Sequence, residues 1–314
     1  MPIVTGGTTA RVRRLARATA PWLVAAAILA AVAASVDRAA LASALAAAPI
    51  AALLGLMAAA VAALVAADVF ALWVAVRAAL PATPLSPRAV LAARAPSYLL
   101  ALLNYGAGAG GFVYLLRRRH GIPVVDGIGA VGLATGAFLL VLAAPVGIGL
   151  AGGAVPEAAG LRWLVAAIGA GGAIAAVALW WRPAWLADRA LLRPMFDAGL
   201  LGTARAAAAR VPYVAGLLAL HWAALRLFGV RVAWPDALAR LPVIFLLAAV
   251  PISPAGLGTT QAASVVLLAE FAPGATADAR AATVLAYSLS TQVVGMALWA
   301  SVGLLGLRAL DRRT

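Results

Sequence analysis

The sequence predicts an all-helical, polytopic membrane bundle, because its composition and its hydrophobic runs differ from those of soluble domains. Apolar residues make up 65% of the 314-residue chain, and the mean hydropathy is +1.04. Soluble domains contain roughly 45–50% apolar residues. Hydrophobic runs of about 20 residues recur along the chain, and this length crosses roughly 30 Å of hydrocarbon. The longest polar stretch, residues 182–210, is too short for a soluble domain, so we expect one transmembrane domain.

Six hydrophobic runs are interpreted as spans: residues 20–36, 49–76, 125–150, 161–181, 211–229 and 281–307. The first run follows an arginine-rich start and ends in small residues, so a cleaved signal peptide is the alternative for it. Two other segments, 88–118 and 235–271, each contain a helix-like run, a glycine-rich break and a second helix-like run. We predict that these two segments are re-entrant hairpins, which enter and leave on one side.

The distribution of arginine supports this topology. All 24 basic residues are arginines and the net charge is +14. Short cytoplasmic loops carry an excess of positive charge. If both broken segments are re-entrant and the N-terminus is cytoplasmic, most arginines, including the Arg117–Arg119 cluster, lie inside. If the broken segments crossed the membrane instead, this cluster and the 182–210 stretch would move outside. We therefore expect both termini in the cytoplasm, and the lysine-free composition suggests a bacterial inner membrane.

The chain contains a weak internal repeat, which divides it into residues 1–155 and 156–314. In the first half, Trp73-x-x-x-Arg77 is followed by Ala93-Arg94-x-Pro96 and by paired glycines. In the second half, Trp222-x-x-x-Arg226 is followed by Ala239-Arg240-x-Pro242 and again by glycines. Each half has three predicted spans, an odd number, so the halves would have inverted topology, as in many transporters. The two hairpin tips would then meet near the midplane.

The stretch PISPAGLGTTQ, residues 251–261, is the strongest break in the chain. Pro251 and Pro254 end a helix because they lack an N–H, and glycine allows a left-handed backbone. Thr259 or Thr260 could cap the second half-helix, whose free N–H groups would attract an anion. An extramembrane turn is the alternative. The predicted substrate-binding residues are Asn104, Arg94, Arg240, Ser253, Gly256, Gly258, Thr259, Thr260 and Gln261.

The same stretch resembles the signature of the lysylphosphatidylglycerol synthase/flippase transmembrane family, Pro-x-x-Pro-Gly-Gly-Leu-Gly-x-x-Glu-Ala. The chain departs from it at Ala255, which replaces a glycine, and at Gln261, which replaces a glutamate. The first half is similar around Arg94, Asn104 and glycines 106–111, but it lacks that family's Gly-Glu. The matching residues of the second motif are Pro251, Pro254, Gly256, Leu257, Gly258 and Ala262.

This resemblance implies a flippase-like fold without the synthase domain, so aminoacyl transfer is not implied. Because two carboxylates of the family are replaced, the chain lacks partners for a cationic head group. We therefore expect an anionic or phosphate-bearing lipid as the substrate. Arg94 and Arg240 could hold its phosphate, or they could reach the membrane interface.

Several polar residues have two interpretations each. Asp68, inside the second span, is either a functional intramembrane charge or a structural partner of Arg77 or Arg94. His221 is either a packed polar residue or a proton relay. The glycines at 106–111 satisfy G-x-G-x-x-G but lack the context of a dinucleotide site. They are expected to break the first hairpin, with close helix packing as the alternative.

Composition argues against several other functions. The chain has no cysteine and no spacing typical of a metal site, and its ten acidic residues form no catalytic constellation. We expect no cofactor, no nucleic acid and no enzymatic activity. The predicted function is a flippase-like transporter of membrane lipids. The alternative is a non-catalytic accessory subunit of a lipid- or glycan-modifying system. Gly132-x-x-x-Gly136 would permit a homo-oligomer.

Overall fold

The structure is a computed structural model, and it describes residues 22–83, 85–151, 159–249 and 256–311. These ranges contain helices and no strand. A 3₁₀ turn at Ala269–Phe271 follows the eleventh helix. The helices are α1 (Trp22–Ala34), α2 (Arg38–Ala46), α3 (Ile50–Ala79), α4 (Pro87–Ala101), α5 (Tyr105–His120), α6 (Val124–Ala151), α7 (Ala159–Trp181), α8 (Ala184–Ala187), α9 (Arg193–Leu227), α10 (Trp234–Ala249), α11 (Thr259–Leu268) and α12 (Ala277–Asp311).

Four of these helices, α3, α6, α9 and α12, are long and apolar enough to cross a membrane. The all-helical class is therefore confirmed for the described residues, and the four apolar helices are consistent with a membrane bundle, whereas the six spans and the inverted repeat stay predictions. The predicted span at 20–36 corresponds to α1, which is followed by a bend of 101° into α2. The predicted span at 161–181 corresponds to α7, whose residues 165–181 form a shorter apolar helix.

The prediction of a polar loop at 182–210 is wrong for most of that stretch. Helix α9 begins at Arg193 and runs for 35 residues, with a kink at Gly199, where φ is 63°. Its early part packs against α3 and α6 through small residues at helical spacing, including Gly202, Ala206 and Ala209, which are buried. Its charged residues Arg193, Asp197 and Arg205 are exposed, and they made this amphipathic helix look like a polar loop.

The first broken segment folds as two helices packed against each other, α4 and α5, but its glycines are not the break. Helix α4 ends at Ala101, and α5 begins after Asn104, whose Oδ1 accepts a hydrogen bond of 2.7 Å from the Ala107 N–H. The glycines follow inside α5. A Cβ on Gly108 would lie 2.6 Å from the Ala101 Cβ, so the alternative, close helix packing, is what the structure contains.

The second broken segment contains α10 and α11, and residues 250–255 between them lie outside the described residues. Pro251, Ser253 and Pro254 are among them. The described part of the break has Gly256 at φ 71° and Gly258 at φ 85°, which is the left-handed region that glycine adopts without strain. Helix α11 begins directly after Gly258.

Glycines on α12 position the first hairpin. A Cβ on Gly303 would lie 2.6 Å from the Leu99 Cγ, and one on Gly306 would lie 2.7 Å from the Ala95 Cβ. Helix α4 therefore lies directly on α12, with little space for a side chain between the two backbones. This contact fixes the face of α4 that is turned toward the interior of the bundle.

Candidate functional site

A cavity of about 340 Å³ lies where the two hairpins meet the long helices. Helices α3, α4, α9, α10, α11 and α12 all contribute to its wall, so both hairpins line one cavity. Ligand pockets in proteins have volumes of about 300–1,000 Å³, so this one could hold a small head group. Its wall combines apolar side chains with hydroxyl, phenol, imidazole and guanidinium groups. Among the described residues that line it, none is Asp or Glu.

One side of the cavity is bounded by a buried cluster of three charged residues, which we call the Asp68 triad: Asp68, Arg94 and Arg210. The Arg94 Nε donates to Asp68 Oδ2 at 2.8 Å, and the Arg210 NH1 donates to Asp68 Oδ1 at 2.5 Å. The Tyr98 hydroxyl also donates to Asp68 Oδ2, at 2.8 Å. Asp68 is only 3% exposed. Because two guanidiniums share one carboxylate, the triad carries a net charge of +1.

Asp68 is paired with Arg94, one of the two structural partners considered for it, and a functional role of this intramembrane charge stays a prediction. Arg77 has a different environment, since its guanidinium carbon lies 5.5 Å from the centroid of the Trp73 ring. The triad therefore links three helices, α3, α4 and α9.

Arg210 was missed as an interior residue because the sequence placed it in a polar loop. It is 5% exposed, on the face of α9 that also buries Ala206 and Val214. Ala206, Arg210 and Val214 follow one another at intervals of four residues, and this helical spacing was the signal in the sequence that Arg210 faces the interior. An arginine in phase with buried apolar residues needs a buried partner, and Asp68 is that partner.

Arg94 is the cationic group that reaches the cavity. Its bond to Asp68 uses Nε, so this contact leaves both terminal amino groups for other acceptors. Its guanidinium carbon lies 4.7 Å from the centroid of the Tyr98 ring. The ring centroids of Tyr98 and Trp299 of α12 are also 4.7 Å apart. Tyr98 and Trp299 line the cavity too. The stack holds Arg94 in place, with 15% of its side chain exposed.

Arg240 occupies the matching place in the second sequence pattern but does not line the cavity. Its NH1 donates to the Leu267 carbonyl at 2.8 Å and to Glu270 Oε1 at 2.5 Å. Its guanidinium carbon also lies 4.7 Å from the centroid of the Phe271 ring. Arg240 thus fastens α10 to the end of α11. Its acidic partner Glu270 has a side chain that is 59% exposed.

The predicted caps at the second tip are wrong in detail. Gln261 is fully buried, and its Oε1 accepts a hydrogen bond of 2.6 Å from the Gly258 N–H, so Gln261 caps α11 from inside the helix. The hydroxyls of Thr259 and Thr260 each donate to the Gly256 carbonyl at 2.9 Å. Only Thr260 of these residues lines the cavity, together with Ser264 one turn later.

The remaining predicted residues lie around the cavity rather than in it. Asn104 caps α5 and is exposed, while its neighbours Leu102 and Tyr105 line the cavity. Gly258 packs against the first helix, because a Cβ on it would lie 2.9 Å from the Ile28 Cβ. Ser253 lies outside the described residues.

The wall also contains His221, which the sequence left as a packed polar residue or a proton relay, and polar residues that the sequence did not single out. His221 of α9 forms a hydrogen bond between its Nδ1 and the Tyr287 hydroxyl of α12, with 2.9 Å between the two atoms. The Phe245 ring of α10 lies edge-on to the imidazole, with 4.9 Å between centroids. Tyr213, Ser288 and Thr291 line the wall as well. No spacing rule within one helix predicts this convergence of α9, α10 and α12.

The two Trp-x-x-x-Arg patterns have the same local geometry. The Trp73 indole donates to the Leu85 carbonyl at 2.8 Å, and the Trp222 indole donates to the Val232 carbonyl at 2.9 Å. Each accepting residue lies two positions before the first helix of a hairpin. Like Arg77 at Trp73, the arginine four positions after Trp222 stacks on the indole, with its guanidinium carbon 3.9 Å from the ring.

The described residues include no group of three or more His, Cys, Asp or Glu side chains that could hold a metal ion. In comparisons with known proteins, no family model, no curated protein and no solved structure matched this chain. The chemistry of the cavity is therefore the feature that indicates a function.

Proposed function

We propose that the protein is a flippase-like transporter that moves an anionic, phosphate-bearing lipid head group across a bacterial inner membrane. One observation carries this proposal: a cavity with a net cationic wall and no described acidic residue lies among helices long enough to span a membrane. A net positive charge inside an apolar bundle is costly unless an anion balances it.

The wall suits an amphiphilic substrate. Arg94 offers two terminal amino groups, and a guanidinium binds phosphate oxygens in bidentate geometry. The hydroxyl groups of Thr260, Ser264 and Thr291 also line the cavity; each donates to a backbone carbonyl and would have to turn from it to donate to a bound anion. The aromatic and aliphatic residues between them could contact the first carbons of lipid chains. Arg94 and Thr260 thus remain from the predicted site, joined by Tyr98, Tyr213 and His221.

The matching Trp–carbonyl and Trp–Arg contacts support a further part of the proposal. Each half of the chain would contain one hairpin in the same local setting, and the two hairpins would enter from opposite sides. Movement of one half against the other would then expose the cavity alternately, as in other inverted-repeat transporters. The proposal also places both termini in the cytoplasm, and it retains the resemblance to the lysylphosphatidylglycerol synthase/flippase transmembrane family.

A reconstitution experiment tests the function. Purified protein is placed in liposomes that contain phosphatidylglycerol with a fluorescent acyl chain, and dithionite quenching reports lipid movement between leaflets. We expect movement by the wild type, and a rate lower by about ten- to 100-fold for Arg94→Gln. This range follows because a hydrogen bond to a charged group contributes roughly 1.5–3 kcal/mol.

Arg240→Gln is the matched control. It removes the same side chain from the matching sequence position, but its contacts lie outside the cavity. We expect it to retain most of the activity when the variant is folded. Equal losses in both variants would contradict the assignment of the cavity as the binding site. No lipid movement by the wild type would contradict transport and favour an accessory subunit.

A further inference from the structure

The hydrogen bond between His221 and Tyr287 is the most distinctive polar contact of the cavity wall outside the Asp68 triad. Both residues line the cavity, and they approach from different helices, α9 and α12. His221 is half-buried, and Tyr287 is 3% exposed. Histidine is the side chain whose ordinary titration lies between pH 5 and 8, so it is the group of this wall suited to exchange a proton with water.

The geometry connects the proton on His221 to the direction of the Tyr287 hydroxyl. When Nδ1 carries no proton, the Tyr287 O–H donates to it. When the imidazole gains a proton, both ring nitrogens carry N–H groups, and Nδ1–H donates to the Tyr287 oxygen. The hydroxyl hydrogen of Tyr287 must then turn to another acceptor. Since Tyr287 lines the cavity, an oxygen of a bound anion is a suitable acceptor.

The charges around His221 make an imidazolium dependent on an anion. The cavity wall that contains His221 also contains Arg94 and Tyr98 of α4, Tyr213 of α9 and Tyr287 of α12. Helix α3 contributes Met57 to this wall, and α10 contributes apolar residues that include Phe245. Helices that pack against α9 also carry charged residues in their first turns, namely Asp126 on α6, Arg162 on α7, Asp236 on α10 and Asp278 on α12. Arg240 on α10 is paired with Glu270.

An imidazolium in this cavity would therefore add a second positive charge to a wall that already contains Arg94. A charge on the imidazole would also be buried in a largely apolar wall, which is costly. A bound anion offsets this cost, and by linkage a proton on His221 raises the affinity for the anion by the same factor.

We propose that His221 is the proton-coupling site of the transporter: an anionic head group and one proton enter the cavity together, and Tyr287 relays the protonation to the ligand. This inference rests on the proposed transport of an anionic lipid. It adds a second bound species, a proton, to each transport cycle.

Calorimetry with the full chain in a non-ionic detergent tests the coupling directly. Dihexanoyl phosphatidylglycerol is titrated into the protein at pH 7 in two buffers with different ionisation enthalpies. The difference in observed heat gives the number of protons taken up per bound lipid. For the wild type we expect proton uptake clearly above zero and not above one proton per lipid, which is the limit for linkage to a single site.

Three variants locate the proton. His221→Gln keeps a polar side chain but should reduce proton uptake to about zero, while His120→Gln, outside the cavity, should match the wild type. Tyr287→Phe removes the relay, so we expect proton uptake to persist while affinity falls by about three- to tenfold, as for one lost hydrogen bond. The chain contains only these two histidines, so no other imidazole complicates the result.

The outcomes separate the two proposals. If the wild type binds phosphatidylglycerol without taking up a proton, or if His221→Gln takes up as many protons as the wild type, the coupling inference is overturned and anion transport stands. If the wild type binds phosphatidylglycerol no better than the zwitterionic dihexanoyl phosphatidylcholine, the proposed selectivity for anions is overturned, and the coupling inference with it.

Discussion

Arg210 of α9 donates a hydrogen bond to Asp68 of α3, 142 residues earlier in the chain, and the same carboxylate also accepts from Arg94 of α4. The contact joins a long helix of each half of the chain and the first hairpin at one buried point. A buried carboxylate with two guanidiniums is stable only as a unit, because each ion has lost its contact with bulk water.

Asp68→Asn is expected to destabilise the protein strongly. It keeps the shape of the side chain but leaves the Arg94 and Arg210 guanidiniums without a counter-charge. Breaking a buried pair by removing one partner costs about 3–5 kcal/mol. Unfolding in mixed micelles with increasing dodecyl sulfate measures this loss in the free energy of unfolding.

Asp197→Asn is the matched control for this variant. Asp197 also contacts two arginines, Arg182 and Arg193, but its side chain is 34% exposed. Exposed ion pairs contribute about 0–1 kcal/mol, so the loss should be small. Similar losses for Asp68→Asn and Asp197→Asn would show that the Asp68 triad does not stabilise the bundle as a buried unit.

Gly258→Ala is expected to weaken the packing of α1 against the second hairpin. At φ 85° an alanine is strained by about 1–2 kcal/mol, and its Cβ would also lie 3.0 Å from the Ala25 carbonyl oxygen. Gly121→Ala is the control for strain alone, because Gly121 has φ 68° and no atom within 4 Å of the added Cβ. Thermal unfolding in detergent should show a larger loss for Gly258→Ala, and equal losses would mean that the contact with α1 does not matter.

The inverted topology can be tested by labelling, because the chain contains no cysteine. His120→Cys and Ala275→Cys are made separately, and intact cells are treated with a membrane-impermeant maleimide. If the hairpins are re-entrant from opposite sides, position 120 is cytoplasmic and position 275, which is exposed, is outside, so only the second variant should react. A reaction at both positions would show that the broken segments cross the membrane.

The sequence predicted the helical class and the position of most long helices, because hydrophobic length depends on local composition. It predicted two broken segments for the same reason. It missed the first part of α9, since charged residues on one face of a helix look like a loop when the buried face consists of small residues such as Gly202 and Ala206.

The candidate site was harder to predict, as Arg94 and Arg240 illustrate. Their sequence surroundings are alike, but their acidic partners are not. Glu270 lies in the 3₁₀ turn that ends the second broken segment and pairs with Arg240 there, whereas Asp68 lies on α3 and pairs with Arg94 in the interior. The acidic partner of an arginine depends on how distant helices pack. The residues near the arginine in the sequence do not reveal that packing.

The two indole contacts that precede the hairpins have a mechanical consequence. Trp73 and Trp222 each tie a long helix to the backbone just before a hairpin begins, and so each closes a short loop. The first residues of each hairpin are thereby held against a long helix. A hairpin that moves must therefore rotate about a point beyond this contact. Its other end, where Thr260 and Tyr105 line the cavity, then moves furthest.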